Sequence, residues 1–121
     1  NNVVVVGDFS NWTNQCVYQM NRTPDANYYW ITLTGLTPGL EYGYQYLIDN
    51  SIRIADPYTQ KVLDPDNDPF INATTYPNLK PYPTGLTTGL VGIFQTAEPQ
   101  YSWQVNNFSK PDKKTWWSMN C

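Results

Sequence analysis

The residues with the most chemical promise near the start of the chain lie in "VVVVGDFSNW", Val3 to Trp12. Four β-branched apolar residues run into Gly7-Asp8, and a tryptophan follows almost at once. A large aromatic delivered into a short polar turn has two readings. It stacks on something flat, such as a sugar ring, because apolar sugar faces leave water on an aromatic surface while the hydroxyls seek polar neighbours. Or it is a core tryptophan at a hairpin corner. Other reactive groups are few. There is no His, which removes the commonest general base and metal ligand. Cys16 has no imidazole partner and no second nearby Cys, so neither thiol catalysis nor zinc is expected. "DPDND", Asp64 to Asp68, has the acids of a calcium loop. Pro69 and Thr75, however, stand where that loop needs Gly and Glu. The stretch reads instead as an Asx-type turn cluster. Asp56 and Asp64 are acids that could hydrolyse a glycoside as a pair, but nothing in the sequence sets their separation. No catalytic residue, metal ligand or cofactor is assigned.

Composition narrows the classes further. The chain has 121 residues and a net charge of −3, with charged residues only 14% of the total. Such a length makes one domain with a modest core. Seven scattered Lys and Arg form no basic stripe for nucleic acid. No apolar run approaches the roughly 20 residues of a membrane span. No signal peptide precedes the first strand-like run, so the start reads as cut from something longer. Cys16 and Cys121 allow one pairing, which says little about redox compartment. The sequons at Asn11, Asn21, Asn72 and Asn107 carry no weight in a chain this rich in Asn and Thr.

The elements that must position these residues are β-like. Ten Tyr, five Trp and four Phe are punctuated by ten Pro and seven Gly. Val3–Val6 predicts a buried strand, Val17–Met20 a short second one, and Tyr28–Leu33 a third. Pro38-Gly39 suits a type II turn. From Glu41 to Asp49, Tyr42, Tyr44, Tyr46 and Ile48 fall on one face and Gly43, Gln45 and Leu47 on the other. The tyrosines are expected to pack with their hydroxyls reaching the surface, and Trp30 to lie in the core. Asp49-Asn50 turns the chain into Ser51–Ile54. Residues 56–88 hold six prolines and read as an extended excursion. Gly89–Thr96 is the last strand, and Trp103 and Phe108 follow in an exit linker. Short strands with turns every 8–12 residues predict an all-β sandwich of about seven strands with a long proline-rich loop. The expected division is 1–100 for the sandwich and 101–121 for the linker.

Taken together, "VVGDFSNW", Met20 and "YYWITLTGLTPGLEYGYQYLIDNSIRIADP" resemble the family 48 carbohydrate-binding modules. The likeness covers about residues 3–57. It rests on a Gly-x-Phe-x-x-Trp turn, an aromatic strand near Leu-x-Gly-Leu, a Pro-Gly-x-x-Tyr-x-Tyr hairpin and a closing Asp-Pro. The later "DPYTQKVLDPDNDPFI" and "TYPNLKPYPTGLTTGLVGIFQT" are similar to α-amylase-family proteins of Bacteroidetes-type bacteria. The resemblance implies an immunoglobulin-like sandwich placed before the catalytic barrel of a family 13 glycoside hydrolase. In such proteins the linker leads into a barrel strand of the form Leu-Val-Ile/Val-Tyr-Glu-Leu-Leu. Here the chain reads Thr115-Trp-Trp-Ser-Met-Asn-Cys121. Starting at the third base of the Thr115 codon gives x-Val-Val-x-Glu-Leu, so 115–121 is expected to be a frameshifted reading, through a slip at Lys113-Lys114.

A barrel of about 250 residues does not fit in this chain, so no hydrolase activity is expected. The resemblance implies two roles: packing against the parent's catalytic barrel, or binding α-glucan such as starch or glycogen. Glucan-binding members stack sugar on two aromatics supported by a Lys. Position by position, Trp12 is the first aromatic, Arg53 stands near the second, and Gln45 replaces the Lys. A generic adhesion module with no sugar role is the third alternative. The resemblance also implies an extracytoplasmic setting, periplasmic or at the cell surface.

Overall fold

The computed structural model describes residues 1–110. Residues 115–121, with the proposed frameshift and Cys121, lie outside the described residues. The chain is all-β. Its strands are β1 (Val3–Gly7), β2 (Asn21–Arg22), β3 (Tyr29–Trp30), β4 (Glu41–Ile48), β5 (Ile52–Ile54), β6 (Lys61–Leu63) and β7 (Val91–Gln95). Three short 3-10 turns are the only helical elements among the described residues.

β4 organises the larger, five-stranded antiparallel sheet. β1 runs along one edge of it, from Val3 opposite Ile48 to Gly7 opposite Tyr44. The other edge is divided: β5 pairs near Ile48 and β7 near Glu41, with β6 outside β7. Asp49 and Asn50 both take left-handed backbone angles, φ 48° and 57°. That geometry makes a tight turn, closed by the Ser51 amide on the Ile48 carbonyl at 3.0 Å, that leads β4 into β5 with three residues between the paired Ile48 and Ile52. Gly39 at φ 79° follows Pro38, and the Leu40 amide donates to the Thr37 carbonyl at 3.3 Å. This is the expected type II turn.

Period-two alternation decides what each face buries. On one face Val4, Val6, Leu47, Leu63, Val91 and Ile93 form a core with Trp12. Leu79 and Tyr82 of the proline-rich segment pack against it. On the opposite face Val5, Tyr44, Tyr46 and Phe94 look across an apolar crevice of about 430 Å³ at Met20, Ile31 and Leu33. The second sheet, β2 with β3, is two-stranded and antiparallel.

Three expectations need correction. Val17–Met20 is not a strand: Cys16–Tyr18 is a 3-10 turn, closed by Tyr18 and Gln19 amides on the Gln15 and Cys16 carbonyls. Only Gln19 bridges to Val4, and the ladder begins at Asn21. Tyr28–Leu33 keeps its alternation, but only Tyr29–Trp30 is hydrogen-bonded as a strand. Tyr29, Ile31 and Leu33 are half-buried, while Trp30 stands beside Ile31 and Leu33 at the crevice and is 53% exposed rather than core. The 56–88 excursion contains β6, whose pairing with β7 joins residues about 30 apart in the chain. A pairing partner that distant leaves no local periodicity to read.

Candidate functional site

Trp12, Gln45 and Arg53 are brought together, the first two buried and Arg53 half-buried beside them. β1 ends at Gly7, and a 3-10 turn over Asp8–Ser10 reverses the chain. The buried Ser10 hydroxyl accepts from the Gly7 amide at 3.0 Å. Asn11 and Trp12 then adopt left-handed angles, φ 55° and 60°. For a tryptophan this is an uncommon and strained conformation. It folds the indole under the sheet, and Trp12 is only 3% exposed. Both ring faces are therefore occupied by protein, and no sugar has a face to stack on in this arrangement.

The corner is closed by Asp8, a residue with no role in the reading of the sequence. One carboxylate oxygen accepts from the Trp12 indole at 3.2 Å. The other accepts from the Gly43 amide at 2.7 Å and lies 3.0 Å from the Lys80 ammonium. Gly43 lies one residue beyond the last β1–β4 pair, Gly7 with Tyr44, so without Asp8 its amide would lack a ladder partner. Asp8 stands four residues before Trp12, a spacing without meaning in a strand-and-turn segment. Lys80 is contributed by the proline-rich segment, and nothing local announces it.

Gln45 points into the core, 1% exposed. Its amide nitrogen donates to the Thr88 and Leu90 carbonyls at 2.8 and 2.7 Å, and its oxygen accepts from the Thr87 hydroxyl. Every bond is internal, as a buried amide requires. Gln45 thus ties β4 to the loop before β7. Arg53 reaches the same loop, donating to Thr87 at 3.4 Å and to the Trp12 carbonyl at 3.3 Å. The three residues form a polar clamp from the Trp12 corner to the 87–90 loop.

On the opposite face, a second cluster gathers around Asp56. One of its oxygens accepts from the Tyr44 and Tyr46 hydroxyls at 2.9 and 3.0 Å. The other accepts from the Tyr58 amide at 2.8 Å. The tyrosine hydroxyls expected at the surface are thus engaged by a carboxylate, and the Tyr42 hydroxyl accepts from the Thr37 amide at 2.8 Å. Burial, reinforced by the Asp56 hydrogen bond and charge, pushes Tyr44 up to about 12 and Tyr46 up in the same direction. Burial opposes ionisation of Asp56 too. The Tyr58 amide and both hydroxyls outweigh it and hold the carboxyl below its usual range. With these commitments Asp56 is an acceptor that ties the turn at Tyr58 to the two β4 tyrosines.

Both shifts fix the sign of a pH dependence. A raised tyrosine contributes stability that is complete below its unfolded value near 10 and is lost as pH climbs toward 12. A depressed carboxyl contributes stability above its unfolded value near 4, lost as pH falls through the folded value. Melting temperature is expected to be flat between about pH 5 and 9 and to fall on both sides. In Asp56→Asn the alkaline fall should become shallower without vanishing, since burial is the larger cause. An unchanged alkaline limb would detach Asp56 from the tyrosines.

Asp64, the other acid considered, turns back on its own segment. Its oxygens accept from the Asp66 amide at 2.9 Å and the Asn67 side chain at 2.6 Å, closing the Asx-type turn. Among the described residues no group of three or more His, Cys, Asp or Glu could hold a metal ion. No described helix is long and apolar enough to cross a membrane. No family model matches the chain, and no curated protein matches it.

Proposed function

We propose that this chain is an immunoglobulin-like β-sandwich serving as a non-catalytic accessory domain of an α-amylase-family glycosidase. It packs against the catalytic barrel through the segment that follows β7. The observation that carries this reading is the state of residues 101–108. Tyr101, Trp103, Val105 and Phe108 are each 69% or more exposed, in a segment with no regular pairing. Tyr101 and Trp103 pack edge to face on each other, ring centroids 4.8 Å apart. Aromatics displayed this densely on one short segment mark a surface awaiting a partner. The occupied faces of Trp12 weigh against the alternative, glucan stacked at that residue, which would first require the corner to open.

The coding DNA provides the test. Sequencing through the Lys113-Lys114 codons and onward should find, in the same or an adjoining frame, a strand of the form Leu-Val-Val-Tyr-Glu-Leu-Leu and a (β/α)₈ barrel. No barrel in any frame would overturn the reading. The purified chain should leave maltooligosaccharides uncut.

A further inference from the structure

The crevice between the two sheets is lined by no charged side chain. Ile31, Leu33 and Leu36 form one wall of it, while Thr32 and Thr34 between them are exposed. That wall is an extended run which the small sheet does not complete. The β2–β3 ladder stops at Trp30, and from Ile31 to Leu36 no backbone amide or carbonyl bonds to any described residue. An apolar crevice beside an open backbone edge constrains what can fill it. A small apolar molecule would cover the backbone groups without pairing them, and that desolvation is costly. An extended peptide meets both needs. Its backbone pairs with the edge, and its alternate side chains enter the crevice.

The chain carries such a peptide. Tyr101, Trp103 and Val105 alternate with Ser102 and Gln104, and all three apolar side chains are exposed in a segment that pairs with nothing regular. No charge falls between Pro99 and Phe108, so nothing there opposes entry into an uncharged crevice. The segment is not led to its own crevice, however. The end of β7 is fastened to Gly39: the Gln95 side-chain amide donates to the Gly39 carbonyl and the Gly39 amide to the Thr96 carbonyl, both at 2.7 Å. Ala97 then turns the backbone at φ 53°, and Glu98 lines a neighbouring cleft beside β6. Tyr44 and Phe94, which line both clefts, stand between that exit and the crevice. We propose that the crevice receives residues 101–105 of a second copy of this chain, added as a strand along Ile31–Leu36 with Tyr101, Trp103 and Val105 turned inward. The exchange is mutual, which closes a two-fold dimer and leaves no free segment to recruit a third copy. The docking on a barrel proposed above is a separate matter. A barrel and a second copy compete for the same rings, and a solution of this chain alone offers only the second copy.

The test follows the whole chain by sedimentation equilibrium and amide hydrogen exchange over a range of concentrations. A dimer is expected, with protection of the Ile31–Leu36 amides that grows as the dimer forms. Trp103→Asp should weaken dimerisation by at least about thirtyfold, a hot-spot loss at each of two symmetric sites. Gln104→Pro keeps the three apolar side chains but interrupts a strand ladder, and it should also weaken the dimer. Both residues are exposed, so neither substitution should move the melting temperature of the monomer. A chain that stays monomeric up to about 1 mM would overturn the proposal. So would a dimer that withstands either substitution. Protection of Ile31–Leu36 that does not depend on concentration would overturn it too, by placing the segment in its own crevice.

Discussion

Gly7→Ala is expected to cost at least about 3 kcal/mol, the upper range for forcing atoms into a packed site. A Cβ on Gly7 would lie 2.3 Å from the Gly43 carbonyl oxygen and 2.9 Å from the Phe9 ring. The first of these is backbone and cannot rotate away. Relief requires β1 to separate from β4 at the end of its ladder. Val4 and Val6, buried beside Leu47 a few residues away, resist that movement. Against a total stability of about 5–15 kcal/mol, the loss is large. Gly35→Ala is the control. Gly35 has φ +75°, and a methyl group there would meet nothing within 4 Å, so the variant should lose only about 1 kcal/mol to left-handed strain. Urea denaturation compares the two directly. Equal midpoints for both variants would mean that β1 and β4 do not approach so closely at Gly7.

Trp12→Ala should cost about 3–5 kcal/mol, the range for truncating a fully buried large aromatic. The indole touches the shared core of β1, β4, β6 and β7, and its N–H is one of the donors to Asp8. Truncation opens a cavity under Gly43 and leaves Asp8 with one partner fewer. Trp12→Phe, which keeps much of the volume but loses the indole donor, should cost less, about 2 kcal/mol. Thermal unfolding of the three proteins checks the order. A melting temperature that survives Trp12→Ala while migration in amylopectin gels changes would instead identify a surface platform for sugar. The buried geometry predicts the reverse, and it means that loss of retardation in this variant is interpretable only alongside its stability.

Much of the scaffold was legible because its signals are local. The run Val3–Val6 gives β1, and the alternation along Glu41–Ile48 gives the central β4 with the correct inward set, Gly43, Gln45 and Leu47. Pro38-Gly39 and Asp49-Asn50 carry their turns in residue type. Where the reading slipped, a choice between equivalent local options had been settled at a distance. Tyr28–Leu33 alternates cleanly, but alternation alone does not say how completely the segment is covered, and Trp30 is left half exposed at the crevice. Lys61–Leu63 has no periodicity of its own and becomes a strand because β7 offers a free edge there.

The candidate residues divide along the same line. By itself the sequence determined an all-β chain, the absence of imidazole chemistry and the delivery of a tryptophan to the end of β1. Tertiary structure alone decided that this ring turns inward beneath Gly43, that Gln45 and Arg53 clamp a loop about 40 residues away, and that Asp8 and Lys80 meet. It also decided that Tyr58 stands outside, on a turn clamped by Asp56. The physical reason is range. Backbone preference and side-chain periodicity act over a few residues and choose the element. Burial and carboxylate pairing depend on which distant segments come to lie alongside it, and those are what separate a core ring from an exposed one.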